Sequence, residues 1–223
     1  MYNILKTLLS AALMPFPSKI KILVYRHVLG FDVSDDARIG FSLIVCKNLI
    51  MGSGAVIGHL NVVRGSMTLQ MKPNAHIGQF NWITSGNSDP RYFKGFDRHS
   101  ELILGEESSI TSRHVLDCTD RIEIGRFTTF AGYRSTILTH GIDYRTAKQS
   151  CRPIKIGDSC LFGSNVVVLM GVTVADRSVV GAGSVVANSA DKELGLWVGT
   201  PARRVRELTG EEAYFTRRNG HIY

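Results

Sequence analysis

Ile156-Gly157-Asp158-Ser159-Cys160-Leu161-Phe162-Gly163-Ser164-Asn165 begins a run, ending at Val186, that decides the fold. Within it Ile156, Phe162, Val168, Val174, Val180 and Val186 fall six residues apart without a slip. A small residue follows five of the six: Gly157, Gly163, Ala175, Gly181 and Ala187. Four residues after each apolar position comes Cys160, Val166, Val172, Ser178, Ser184 or Ala190. An amphipathic helix repeats at about 3.6 residues and an alternating strand at about 2. A period of six held over six repeats belongs to neither. It fits a chain that runs a short strand, turns and repeats, with one large apolar side chain per repeat aimed at a central axis. The pattern predicts an all-β solenoid, a parallel β-helix built on hexapeptides.

The register runs upstream as well. Ile39, Val45, Met51, Ile57, Val63 and Leu69 are six apart, and Gly40, Gly52 and Gly58 again follow. The period restarts at Ile77 and Ile83. It returns at Leu104, Ile110, Leu116 and Ile122, slips by two, and resumes at Ile124 and Phe130. The solenoid is expected over 37–200, preceded by a helical segment, 1–36, and followed by an extension, 201–223. Two excursions break it, at 86–100 and 141–153. Breaks in a solenoid are loops thrown from one face, and function is added there.

The quoted run, continued through Val180-Gly181-Ala182-Gly183-Ser184-Val185-Val186 and closed by Gly199-Thr200-Pro201-Ala202-Arg203, resembles the hexapeptide-repeat acyltransferases. Within them it is most similar to the maltose and galactoside acetyltransferases and the sugar O-acetyltransferases of surface-polysaccharide pathways. The resemblance covers 104–206; over 37–85 only the repeat matches. It implies a left-handed β-helix, although the general rule for parallel crossovers is right-handed. It also implies acetyl transfer from acetyl-CoA to a sugar hydroxyl, without a metal. The partner implied is the chain itself, as a cyclic homotrimer with CoA in the groove between neighbours.

The resemblance places the catalytic base at His140, in Thr139-His140-Gly141, where the second excursion leaves. A hydroxyl is a poor nucleophile at neutral pH, so its proton must leave as it attacks the thioester. Imidazole, with an ordinary pKa of about 6.5, suits that task. No covalent intermediate is required. Asp143, counted on the acceptor side of the site, lies three residues on and can orient the imidazole; a backbone carbonyl can do the same. Matching puts the donor to the tetrahedral oxyanion at the N–H of Ser164. Leu161 stands where the family often carries Trp, which implies a different acceptor pocket. Thr111 aligns with an acceptor contact often made by Asn, and His114 is a neighbouring polar candidate. The implied CoA contacts are Ser164, Ala182, Ala187, Asn188, Arg203 and Arg206. The two arginines would meet the ADP phosphates, and Asn188 replaces the more usual Lys.

Composition is that of an ordinary globular chain: 44% hydrophobic, 20% charged, net charge +7. The excess sits at the ends. Residues 1–30 carry Lys6, Lys19, Lys21 and Arg26 and no acid; 201–223 carry five Arg against three Glu. No reading helix or stacking motif accompanies the charge, which argues against a nucleic-acid partner. Cys46, Cys118, Cys151 and Cys160 have neither paired nor metal-like spacing, so free buried thiols in a reducing cytoplasm are expected.

Residues 1–30 read as one or two short helices, the run broken at Pro15 and Pro17. Twelve uncharged residues separate Lys6 from Lys19, fewer than the roughly 18 a membrane span needs. The segment is either a cap on the end of the β-helix or a basic amphipathic arm on an anionic membrane surface. The latter would suit a lipid-linked saccharide acceptor at the inner membrane face. In 86–100, Tyr92, Phe93 and Phe96 alternate with Arg91, Lys94 and Arg98. That pattern suits stacking and hydrogen bonding to a sugar, or an irregular excursion covering a coil. Two rival functions share the fold. One is acetylation of a small soluble acceptor: a free sugar, serine or an antibiotic. The other is a γ-type carbonic anhydrase, which needs three histidines, two of them five apart. His27, His59, His76, His99, His114, His140 and His221 include no such pair.

Overall fold

The computed structural model describes residues 4–86, 89, 91–220 and 222. The hexads close into a parallel β-helix with three faces. Face one stacks Met51, Met71, Leu104, Ile124, Ile156 and Val174. Face two stacks Ile44, Val63, Ile83, Leu116, Ile137, Val168 and Val186. Face three stacks Ile39, Ile57, Ile77, Ile110, Phe130, Phe162, Val180 and Trp197. The chain visits face three, then two, then one, and begins the next coil. All of these residues but Trp197 are buried in one continuous core. Phe130 and Phe162 stack with ring centroids 4.2 Å apart.

The small residue after each inward one has a steric cause. At the corner the next coil passes directly overhead, and a methyl on Gly58 would overlap the carbonyl of Gly78. The residues four positions on, Cys160 through Ala190, are buried as well. One expected core position is displaced. Val45 is buried but stands outside the core, and Ile44 takes the inward place opposite Val63. The first turn, from Ile39 to Ile44, is one residue shorter than its counterpart from Ile57 to Val63.

Both excursions leave from the same corner, where face two hands the chain to face one. The first separates Thr84 from Glu101, the second Leu138 from Ile154. The second is a hairpin rather than a loop: His140–Asp143 pairs antiparallel with Lys148–Cys151.

The amino-terminal helices α1 (Ile4–Leu13) and α2 (Ser18–His27) lie against the first coil. That coil has no neighbour on one side, so its carbonyls would be unpaired. Polar side chains from the helices meet them. Ser10 Oγ donates to Ile44 O at 2.8 Å, and Lys6 Nζ to Cys46 O at 3.0 Å. Lys21 Nζ, on a buried side chain, donates to Ile39 O at 3.3 Å and Gly40 O at 2.5 Å. Arg26 pairs with Asp35 and Val33 O. Three of the four cations offered to an anionic membrane are therefore used inside the chain, which removes the charge argument for a membrane arm. Only Lys19 of the four is exposed and given no internal partner among the described contacts. No described helix is long and apolar enough to cross a membrane.

The far end closes differently. Arg203–Glu207 pairs antiparallel with Gly195–Val198 on face three. The short helix α3 (Ala213–Thr216) then brings Tyr214, whose hydroxyl donates to Cys160 O at 2.7 Å. We predict that Lys21→Met, which leaves two edge carbonyls without their donor, costs about 1–3 kcal/mol. Lys19→Gln should leave the thermal midpoint unchanged. Equal midpoints for the two variants would refute the capping role.

Candidate active site

Asp117 ends the face-two strand Val115–Asp117, one residue past the inward Leu116. Leu138 lies beside it on the next coil, and His140 follows two residues later. The corner turns the Asp117 carboxylate into a cage of donors. Oδ2 accepts from His140 Nδ1 at 2.5 Å, His140 N–H at 3.1 Å and Thr139 N–H at 3.2 Å. Oδ1 accepts from Thr119 Oγ1 at 2.6 Å and Thr119 N–H at 3.2 Å. Thr119 Oγ1 in turn accepts the Gly86 N–H at 2.9 Å.

Burial works against the charge on Asp117. The hydrogen bonds from His140 and Thr119, with the His140 charge, outweigh it and hold the carboxyl below its usual range. Asp117 in turn raises the His140 imidazole above its ordinary value, against burial and the nearby Arg98 charge. With Nδ1–H bonded to the carboxylate, Nε2 of the neutral ring is the basic nitrogen. The His140 side chain is 36% exposed.

The first excursion folds over this pair. Phe93 is buried and packs edge-on to His140, with ring centroids 6.0 Å apart. The Arg98 guanidinium lies over Phe93 at 4.4 Å. Arg98 Nη1 and Ser100 Oγ both donate to Thr119 O, at 3.3 and 2.9 Å. Phe93 is thus occupied within the chain, while Tyr92 and Phe96 remain exposed.

Several sequence expectations change here. Asp143 does not orient His140; it lies on the exposed hairpin and accepts the Arg145 N–H at 2.9 Å. The hairpin strand carries it away from the corner, and Asp117, 23 residues before His140, takes that place. A count of one coil back from His140 would have found it. His114 is not an acceptor contact either, because it is 1% exposed and both ring nitrogens are used. Its Nδ1 accepts the Ser135 N–H at 3.1 Å, and its Nε2 meets Thr111 Oγ1 at 3.0 Å. It is one rung of a polar ladder, Asn61–Asn81–His114–Ser135, along the corner between faces three and two. Burial pushes its pKa down to about 4. Thr111 donates inward to Phe130 O and Gly132 O, at 2.9 and 2.8 Å.

Ser164 lies at that same far corner, its Oγ accepting the Tyr133 N–H at 3.2 Å. The amides on either side of it serve the coil-to-coil ladder, Gly163 to Val180 O and Asn165 to Tyr133 O. Leu161, on the outer side of face three, precedes it, and Ala182 lies at the equivalent turn one coil on. Arg203 and Arg206 are exposed on the closing strand of face three. Ala187 and Asn188 are exposed at the His140 corner, two coils beyond it. One chain therefore holds His140 and Ser164 at opposite edges of face two. The thiols offer no nucleophile: burial pushes Cys151 up to about 11 and Cys46 and Cys160 up to about 12. Among the described residues no His, Cys, Asp or Glu set is grouped to hold a metal ion.

A family model described as the hexapeptide repeat of succinyl-transferase matches residues 153–188. The galactoside O-acetyltransferase of Escherichia coli (strain K12) is 38% identical over 63 residues, 28% of this chain and 30% of that protein. Over these stretches the chain is similar to hexapeptide-repeat acetyltransferases. YvoF of Bacillus subtilis (strain 168) is 28% identical over 149 residues, 66% of this chain and 77% of YvoF. The alignments span 36%, 30% and 29% of the length of the first three curated relatives. A mutant of AntD, an N-acyltransferase from Bacillus cereus, superposes with a TM-score of 0.52 at 16% identity. It covers 81% of this chain and 86% of that one, a likeness of fold alone. The hexapeptide-repeat solenoid is a left-handed parallel β-helix.

NMR titration of the imidazole C–H signals tests the electrostatics. His140 should titrate above the ordinary imidazole value of about 6.5, and Asp117→Asn should bring it down. Arg98→Gln should move it further up, and His114 should stay neutral to about pH 4. A His140 signal indifferent to Asp117→Asn would refute the pairing.

Proposed function

We propose that this protein transfers an acetyl group from acetyl-CoA to a sugar hydroxyl, in the cytoplasmic assembly of a surface polysaccharide. The observation that carries the reading is the Asp117–His140 pair, 2.5 Å apart with the imidazole side chain 36% exposed, at the corner both excursions share. His140 Nε2 takes the hydroxyl proton as the oxygen attacks the thioester carbonyl carbon. The negative charge that appears on the carbonyl oxygen needs a donor, and the Ser164 N–H supplies it. The C–S bond then breaks, and the imidazolium returns its proton to the departing CoA thiolate. Asp117 fixes the tautomer and stabilises the imidazolium while it exists.

His140 and Ser164 stand on opposite corners of one chain, so the site is completed by pairing His140 with Ser164 of the partner subunit. A cyclic trimer of parallel solenoids does this three times over. CoA then lies along the intervening groove, past Ala182, Ala187 and Asn188. Arg203 and Arg206 meet its phosphates through charged hydrogen bonds.

His140→Ala should keep CoA binding and oligomeric state and lower thiol release by roughly 10²–10⁴-fold. Near-wild-type release would sink the assignment. Asp117→Asn tests the orientation separately. A general base works only when neutral, so its raised pKa in the wild type places the acid limb of kcat/KM at higher pH. Losing the carboxylate should move that limb to lower pH while the plateau falls. An unmoved limb with a normal plateau would make Asp117 merely structural.

A further inference from the structure

Helices α1 and α2 carry their polarity inside out. Their inward sides use Lys6, Ser10 and Lys21 to bond carbonyls of the first coil. Their outward sides are apolar. On α1, Ile4, Leu8, Ala11 and Ala12 recur at helical spacing on the side away from Ser10, and all four are exposed. On α2, Ile20 and Leu23 are exposed on the side away from the buried Lys21 and Tyr25. The Tyr25 hydroxyl is hydrogen-bonded to Ser10, so the two helices lie side by side. Phe16, in their connection, is exposed as well. Apolar side chains exposed singly are ordinary on a protein surface. Aligned along two neighbouring helices, with Leu8 62% and Leu23 58% exposed, they make a continuous uncovered face.

The chemistry of that face selects its occupant. From Ile4 to Val28 the sequence holds no acid. Lys6, Lys21 and Arg26 are bonded within the chain, and Lys19 is exposed next to Ile20 and one turn from Leu23. None of the four outward side chains of α1 can donate or accept a hydrogen bond. A specific protein interface carries about one hydrogen bond per 100–200 Å². An apolar middle with a cation at its rim and no acid matches instead the acyl boundary and anionic headgroups of a bilayer. The face also stands at one end of the solenoid. Parallel solenoids about a three-fold axis, as proposed above, would present three such faces on one side, and each would strengthen the others.

We propose that α1 and α2 seat the protein on an anionic lipid bilayer, their outer face entering the acyl boundary and Lys19 meeting headgroup phosphates. Burial of apolar surface drives the attachment, in place of the cluster of cations that the sequence suggests. The proposal stands on these two helices and is independent of the acetyl-transfer reading.

Flotation of the full chain with vesicles of phosphatidylethanolamine and phosphatidylglycerol is the test, at about 0.1 and about 0.5 M salt. Wild type should float at both, because apolar burial is not screened by salt. The double substitution Leu8→Gln, Leu23→Gln should lower the vesicle partition coefficient at least about ten-fold. Its thermal midpoint should be retained, since both side chains point away from the core. Lys19→Gln should cost about five-fold at the lower salt and little at the higher. A Leu8→Trp variant gives a second readout: its added emission should shift to the blue on vesicles and be quenched by bromine-labelled acyl chains. The proposal is overturned if wild type does not float, if salt alone releases it, or if the double variant floats like wild type. It is overturned too if vesicles are ignored while the double substitution splits a larger assembly seen by light scattering. That result would assign the face to a second copy of the chain.

Discussion

Vertical register is the constraint on which the molecule depends. Each coil must present an inward side chain directly over the one below, while backbone hydrogen bonds tie the coils at a fixed spacing of about 4.8 Å. Phe130 stacked on Phe162 shows the demand at its strictest, because two rings of that size fit only when parallel and aligned. Small residues at the corners follow from the same spacing, since the next backbone leaves no room for a side chain. So does the polar ladder through Asn81 and His114, in which each side chain accepts the backbone N–H of the next coil. Stability is assembled from nearest-neighbour contacts between coils.

A stack built this way has two vulnerable places. At its ends the backbone has no further coil to bond. The amino-terminal helices answer with Lys6, Ser10 and Lys21 aimed at carbonyls of the first coil. Insertions are the second vulnerability, since they must leave and rejoin without disturbing the register. Both occur at one corner, and face two and face one resume in step on either side. Loop closure costs rise only slowly with length, so a corner can carry a long excursion.

The core was legible because inward positions repeat at a fixed interval and apolar side chains advertise them. Ile156 through Val186 all point inward as the period requires. The corner at which His140 stands was legible through the excursion that starts there. Asp117 was not, because its partnership joins two coils and is invisible to a six-residue window. His114 misled for the opposite reason. A polar residue in a turn looks available, and only the ladder reveals that its nitrogens are used. The cations of the amino terminus misled as well, because side-chain patterning does not register the backbone carbonyls they serve. Val45 failed by one residue where a turn is short.

Thr119 has a consequence of its own. Its hydroxyl donates to Asp117 and accepts from Gly86, and its carbonyl receives both Arg98 and Ser100. A single residue thus belongs to the anchorage of the first excursion and to the cage around His140's partner. Coupling free energies are reciprocal. Whatever tightens the first excursion on Thr119 also strengthens the ionised form of Asp117, and the protonation of the Asp117–His140 pair is felt by the first excursion to the same extent. Packing of the first excursion and ionisation of the Asp117–His140 pair become two readings of one equilibrium.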